Sequence, residues 1–255
     1  MRIADTRAIV TGGASGLGLA TAQMIVRNGG KVALFDVNDT AGLEAVRALG
    51  AAASFHKVDV TSEPSVVAAV AAAADVMGGL TAAINCAGVG NPRKIVGKDG
   101  PMPGEFFRRV VEINLVGSML VSAQAAAVMQ RNAPNDGGER GVIVLTASVA
   151  AFDGQVGQVA YAASKGGVVG MTLPMARDLS NVGIRVMCIA PGLFETPLLA
   201  ALPEEAKASL GKQVPFPPRL GHPDEYALFV RQVVENPMLN GETVRLDGAI
   251  RMAPR

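Results

Sequence analysis

Tyr161-Ala162-Ala163-Ser164-Lys165 sets a phenol and an ammonium four residues apart. Positions i and i+4 of a helix share one face, so the two groups can meet. A cation beside a phenol favours the phenolate and lowers a pKa that is about 10 in water. A tyrosine tuned in this way can exchange a proton with a substrate hydroxyl near neutral pH. Ser148 lies just past an apolar run that reads as a strand. Its hydroxyl could hold the substrate oxygen while Tyr161 moves the proton. The Tyr-x-x-x-Lys spacing alone is a weak signal, because a solvated helix face produces it too. It carries more here because the chain has only 2 tyrosines.

A second group of residues suits a phosphate. Thr11-Gly12-Gly13-Ala14-Ser15-Gly16-Leu17-Gly18 falls between a strand pattern and a helix pattern. Glycines 12, 16 and 18 let the chain turn tightly and bring backbone N–H groups against a pyrophosphate. The N-terminus of the following helix adds partial positive charge. Asp36 closes the next strand, where a carboxylate can accept from ribose hydroxyls and would repel a 2′-phosphate. Its neighbours Val37 and Asn38, like Ser15, offer no cation. NAD is therefore expected rather than NADP, although an aspartate here could simply begin a turn. Asp59-Val60 follows the third strand pattern, where Asp59 could meet the adenine amino group or cap the turn before Thr61-Ser62.

These groups need a scaffold, and the pattern supplies one. Strands read at 8–11, 31–35, 53–58, 82–84, 142–145, 184–189 and 243–246. Helices read between them at 17–27, 41–49, 64–77, 105–130, 161–179 and 223–235. Repeated β-α units with short connections imply an α/β fold: a single Rossmann-like, doubly wound parallel sheet with helices on both faces. No linker or composition shift divides residues 1–255, so one domain is expected. The connections at 89–104, 131–140 and 194–221 are longer, as functional loops tend to be.

Composition narrows the partners. Of 255 residues, 49% are hydrophobic and 18% charged, with net charge +1, which excludes whole-chain disorder and gives no basic face for nucleic acid. Two separated cysteines and two histidines cannot build a zinc site, and no metal is expected. Cys86 and Cys188 sit in apolar runs, which suits a reducing compartment. No signal peptide is evident, and the apolar run 66–74 falls short of the roughly 20 residues a membrane span needs. A cytoplasmic protein with no membrane partner is expected. His56 and His222 read as non-catalytic.

Taken together, these residues resemble the short-chain dehydrogenase/reductase family over essentially the whole chain. The motifs are Thr11-Gly12 through Gly18, Asn85-Cys86-Ala87-Gly88, Asn114, Ser148, Tyr161, Lys165 and Pro191-Gly192. The resemblance implies a seven-stranded sheet of order 3-2-1-4-5-6-7. It implies that Asn85 to Gly88 steady the sheet beside the adenosine, and that Asn114 holds a water in a relay to Lys165. Lys165 would also bind the nicotinamide ribose, and Pro191, Gly192 and Thr196 would lie against the nicotinamide. It further implies that Ser15, Leu17, Asp36, Asp59, Val60, Cys86, Tyr161, Lys165 and Phe194 contact NAD.

Longer stretches are similar to the subgroup of type 2 3-hydroxyacyl-CoA dehydrogenases, also termed 17β-hydroxysteroid dehydrogenase type 10. They include Thr146-Ala147-Ser148-Val149-Ala150-Ala151-Phe152, Leu239-Asn240-Gly241-Glu242 and the run from Arg245 to Met252. That similarity implies NAD-dependent oxidation of a short or 2-methyl-branched (S)-3-hydroxyacyl-CoA to the 3-oxoacyl-CoA. Ser148 and Tyr161 would hold the reacting oxygen, and Gln155 would hydrogen-bond the thioester oxygen. Leu198, Leu199, Leu202, Leu210, Val214 and Phe216 would wall the acyl chain. Lys94, Lys98 or Arg219 would meet CoA phosphates. A homotetramer is implied, paired through the helices at 105–130 and 161–179, with residues 249–252 at a second interface. Competing readings are a 3-oxoacyl-carrier-protein reductase, a hydroxysteroid dehydrogenase, and a scaffold or RNA-processing subunit.

Overall fold

The computed structural model describes residues 1–196 and 204–254. Strands β1 (Arg7–Thr11), β2 (Lys31–Asp36), β3 (Ala53–Lys57) and β4 (Ala82–Asn85) alternate with helices α1 (Gly16–Arg27), α2 (Asp39–Leu49) and α3 (Glu63–Met77). Then follow α4 (Gly104–Met129), β5 (Gly141–Thr146), α5 (Val159–Asp178), β6 (Ile184–Pro191), α6 (Glu204–Gly211), α7 (Pro223–Glu235) and β7 (Thr243–Leu246). All seven strands pair in parallel, in the order β3-β2-β1-β4-β5-β6-β7, as the family resemblance implies.

The core follows from the pleat, which sends successive side chains to opposite faces. Ile9, Ile143, Leu145, Val186 and Cys188 pack with α3, α4 and α5 on one face. Val10, Val142, Val144, Met187 and Ile189 pack with α1 and α7 on the other. Every residue of β5 and β6 is buried, which is why both read as continuous apolar runs. Local signals set the element ends. The Ser62 hydroxyl accepts from Ser65 N–H at the start of α3, and Gly78 closes that helix with φ 73°.

Three features differ from the sequence reading. The long connection 194–221 contains the helix α6, and 89–104 contains a two-residue hairpin pairing Val96–Gly97 with Gly100–Pro101. Helix α4 runs 26 residues and contains an 18-residue stretch of mean hydropathy 1.4, long and apolar enough to cross a membrane by those measures. The expectation that no apolar run reaches that length is therefore corrected. Val121, Ala125 and Met129 of α4 are instead spent on the sheet. Finally, Arg185 lies buried in β6. Its guanidinium donates to the carbonyls of Val233 (2.8 Å), Leu239 (2.8 Å) and Val234 (3.0 Å), and pairs with Glu139 at 2.7 Å.

Candidate active site

The carboxyl ends of β1, β2, β4, β5 and β6 open into one cleft of about 1190 Å3. This is where ligands bind in open parallel sheets, at the point where strand order reverses between β1 and β4. At one end Gly12, Ser15, Gly16, Leu17 and Gly18 form the turn into α1. The backbone there leaves no room for side chains. A Cβ on Gly18 would lie 2.3 Å from the Gly12 carbonyl, and Gly12 itself has φ 61°. The Ser15 side chain makes no capping bond, so N–H groups of the first turn face the cleft without a side-chain partner. The Asp36 carboxylate is aimed by its own backbone: it accepts from Ala14 N–H (3.2 Å) and Asn38 N–H (3.0 Å). Asp59 lines the cleft and holds its turn, accepting from Thr61 N–H (2.9 Å) and Oγ1 (2.7 Å). Among the described lining residues the only cations are Arg109 and Lys165. These residues fit a dinucleotide: a tight backbone cradle for pyrophosphate and an acid for ribose hydroxyls.

At the other end Ser148, Tyr161 and Lys165 line the same cleft. Ser148 starts a 3-10 turn, accepting from Ala150 N–H at 3.1 Å, and its hydroxyl stands on the side of the Tyr161 phenol that favours ionisation. Lys165 is buried, and its Nζ donates to the Thr146 carbonyl at 2.7 Å. It lies 5.8 Å from the Tyr161 ring centre. The expected lowering of the Tyr161 pKa by Lys165 does not occur in the protein alone. Burial pushes the phenol up, with only the Ser148 hydroxyl pulling it down. The same burial lowers the lysine to about 8, weakening the cation that was to do the work.

The site residues do not all reach the cleft. Val60, Cys86, Ala87, Gly88, Pro191, Gly192, Phe194 and Thr196 line it. Asn85 and Asn114 are buried behind it. Asn85 Nδ2 donates to Ser122 Oγ at 3.1 Å, which braces β4 against α4. Asn114 sits in a π turn of α4, Glu112–Val116, and its amide clamps the Val89 backbone N–H (2.8 Å) and carbonyl (2.9 Å) and donates to Ser164 Oγ (3.0 Å). Its side chain is thus spent on holding the loop after β4, and Gly88 is glycine because a Cβ would stand 3.1 Å from Asn114 Oδ1.

Gln155 lines the cleft, and one N–H of its Nε2 donates to the Ala253 carbonyl at 2.9 Å. Of the expected acyl wall, Leu210 lines the cleft, Val214 is buried among other residues, and Phe216 is exposed. Leu198, Leu199 and Leu202 lie outside the described residues. Arg219 is not free for phosphate, since it holds Glu225 through two bonds of 2.8 and 2.7 Å. Sequence reasoning misses Tyr226. It is fully buried in α7 with its hydroxyl 2.6 Å from Thr146 Oγ1, tying α7 to the residue whose carbonyl holds Lys165.

A dinucleotide cradle and a Ser-Tyr-Lys trio opening into one cleft are joined by one further observation. The sequence profile described as short chain dehydrogenase matches residues 6–207. The chain belongs to the short-chain dehydrogenase family. Within it, the chain is similar to 3-hydroxyacyl-CoA dehydrogenase type-2 of Rattus norvegicus, 53% identical over 97% of this chain and 95% of that one. The protein of the same name from Drosophila melanogaster is 53% identical over 99% and 100%. The crystal structure of 3-hydroxyacyl-CoA dehydrogenase type-2 from Mycobacterium avium superposes with TM-score 0.93 at 43% identity, over 97% of this chain and 96% of that one. The chain is an oxidoreductase of the nicotinamide-dependent kind that this family comprises.

The buried lysine makes a prediction about stability. An ammonium whose pKa falls from 10.5 to about 8 opposes folding fully below pH 8, and stability rises as pH climbs from there to 10.5. Lys165→Met, of similar length and apolar, should therefore stabilise the protein at pH 7 by about 1–3 kcal/mol while removing turnover. Urea unfolding of both proteins at pH 7 and pH 9.5 checks it. The gap should narrow at the higher pH, and a less stable variant at pH 7 would contradict burial of the charge as the cause.

Proposed function

We propose that this enzyme oxidises short or 2-methyl-branched (S)-3-hydroxyacyl-CoA to the 3-oxoacyl-CoA, with NAD as the acceptor. The observation that carries the reading is the convergence of Ser148, Tyr161 and Lys165 on the cleft that Asp36 and the glycine turn also line. The names and 53% identity of the relatives support the substrate class. When bound, the oxidised dinucleotide supplies a two-electron acceptor and a positive charge. The Ser148 hydroxyl holds the carbinol oxygen, and Tyr161, as the phenolate that this positive charge favours, takes its proton. Lys165 holds the nicotinamide ribose, and Asn114 fixes the backbone beside it. Gly12, Gly16 and Gly18 admit the pyrophosphate, Asp36 accepts from the adenosine ribose, and Asp59 and Val60 border the adenine. Pro191, Gly192, Phe194 and Thr196 back the nicotinamide.

Lys57, in register with Asp36, spends its Nζ on Asp39 at 2.6 Å, and among the described residues the cleft lining beside Asp36 holds no cation, which supports NAD over NADP. We further propose a cytoplasmic homo-oligomer, a tetramer by the family pattern. Met119 of α4 and Val159 and Leu173 of α5 leave apolar surface exposed, as an isologous interface uses.

One experiment tests the reading: NADH formation against (S)- and (R)-3-hydroxybutyryl-CoA, the (S)-2-methyl analogue and a steroid alcohol. It is run with NAD and NADP on the wild type and on Asp36→Arg. The (S)-acyl-CoAs with NAD should give the highest kcat/KM, and the variant should shift toward NADP. A clear preference for the (R) form or the steroid would overturn the substrate assignment. Unchanged NAD preference in the variant would overturn the role of Asp36.

A further inference from the structure

Residues 252–254 lie along the loop that follows Ser148, and two of them are bonded to it. The Ala253 carbonyl accepts from Gln155 Nε2 at 2.9 Å, and the Pro254 carbonyl accepts from Val156 N–H at 3.0 Å. Behind this strap stands a built support. Arg245 donates to Asp247 (2.7 Å), to Asp153 (2.7 Å) and to the Ile250 carbonyl (2.8 Å), and its guanidinium lies 5.2 Å from the Phe152 ring centre. Ile250 is buried, and Ala249 turns with φ 68° while its N–H bonds Asp247 at 2.9 Å. The strap is thereby fixed to the loop that carries both Ser148 and Gln155, and Met252 is brought into the lining of the cleft.

We infer that Met252 forms a wall of the acyl pocket and sets which chain lengths the enzyme accepts. This rests on the acyl-CoA reading above. Gln155 holds the strap through one N–H. The group presented beside it is an unbranched thioether, flexible and apolar, suited to acyl chains of several shapes. The adenosine and pyrophosphate end of the cleft is lined by residues 12–61, and the nicotinamide is assigned to other residues than Met252, so the effect should fall on the acyl substrate and leave KM for NAD unchanged.

The experiment measures kcat/KM for (S)-3-hydroxyacyl-CoAs of four to ten carbons, and KM for NAD, in the wild type and in Met252→Ala, Met252→Phe and Met252→Leu. Shortening the side chain should raise kcat/KM for the longer substrates relative to the four-carbon one by roughly tenfold or more, given the usual selectivity per methylene. Phe should lower the same ratio, Leu should keep it, and KM for NAD should stay constant in all. Identical chain-length profiles in all four proteins, with turnover of the four-carbon substrate intact, would overturn the inference alone. A wild type that oxidises none of the acyl-CoAs would overturn the acyl-CoA reading and this inference with it.

Discussion

Replacing Tyr161 by Phe is expected to cut kcat by about 10^2–10^4-fold while the dinucleotide binds as before. The ring keeps its place in the cleft, and the only proton-transferring group at that point is lost. Ser148 remains but has no base to pass a proton to, and Lys165 points its Nζ at the Thr146 carbonyl. A hydroxide route at high pH is the residual path. Stopped assays at saturating substrate give kcat, and titration of NADH fluorescence gives the binding constant. Retention of more than a tenth of the activity would remove Tyr161 from the chemistry. Weakened binding with normal turnover of bound substrate would make it a structural residue.

The largest effect on stability should come from a residue with no part in the reaction. Arg185→Met is expected to destabilise the fold by about 3–5 kcal/mol, because it takes one of two cations from a buried carboxylate, the Met1 ammonium being the other, and leaves the Val233, Val234 and Leu239 carbonyls without their donor. Arg185 and Glu139 side chains are 8% and 9% exposed, and the pair also closes the end of α7 through the Val233 and Val234 carbonyls. Urea unfolding measures the loss. Adding Glu139→Gln to the same chain should recover part of it, since the buried charge is then gone; a double variant as unstable as the sum of both singles would argue against the coupling.

The reach of the sequence can be seen by comparing residues. β5 and β6 are legible because a strand covered on both faces is apolar at nearly every position, Thr146 and Arg185 being the exceptions, and Gly12 to Gly18 because a tight turn before a helix admits few other residues. Tyr161 and Lys165 are legible because a helix fixes the geometry of i and i+4. Arg185 is not, since its partners Glu139, Val233 and Leu239 lie 46, 48 and 54 residues away and leave no local pattern. Tyr226 gives an ordinary amphipathic signal in α7, and only the packing of that helix on β5 brings its hydroxyl to Thr146. The pKa of Tyr161 escapes the sequence for a related reason: adjacency on a helix predicts an interaction, but burial, which decides its sign here, is set by the whole fold. Gln155 escapes it because its partner, Ala253, joins it only once β7 has been laid at the edge of the sheet.

The reversal of strand order between β1 and β4 divides the cleft by chain position. In the function proposed above, the adenosine is met by residues 12–61 and the alcohol by residues 146–252, all of them in the cleft lining. The two preferences of the enzyme are thus inherited from separate stretches of sequence that meet where β1 pairs with β4. A recombinant of two homologues, crossed over between α3 and β4, would take its choice of coenzyme from one parent and its choice of alcohol from the other.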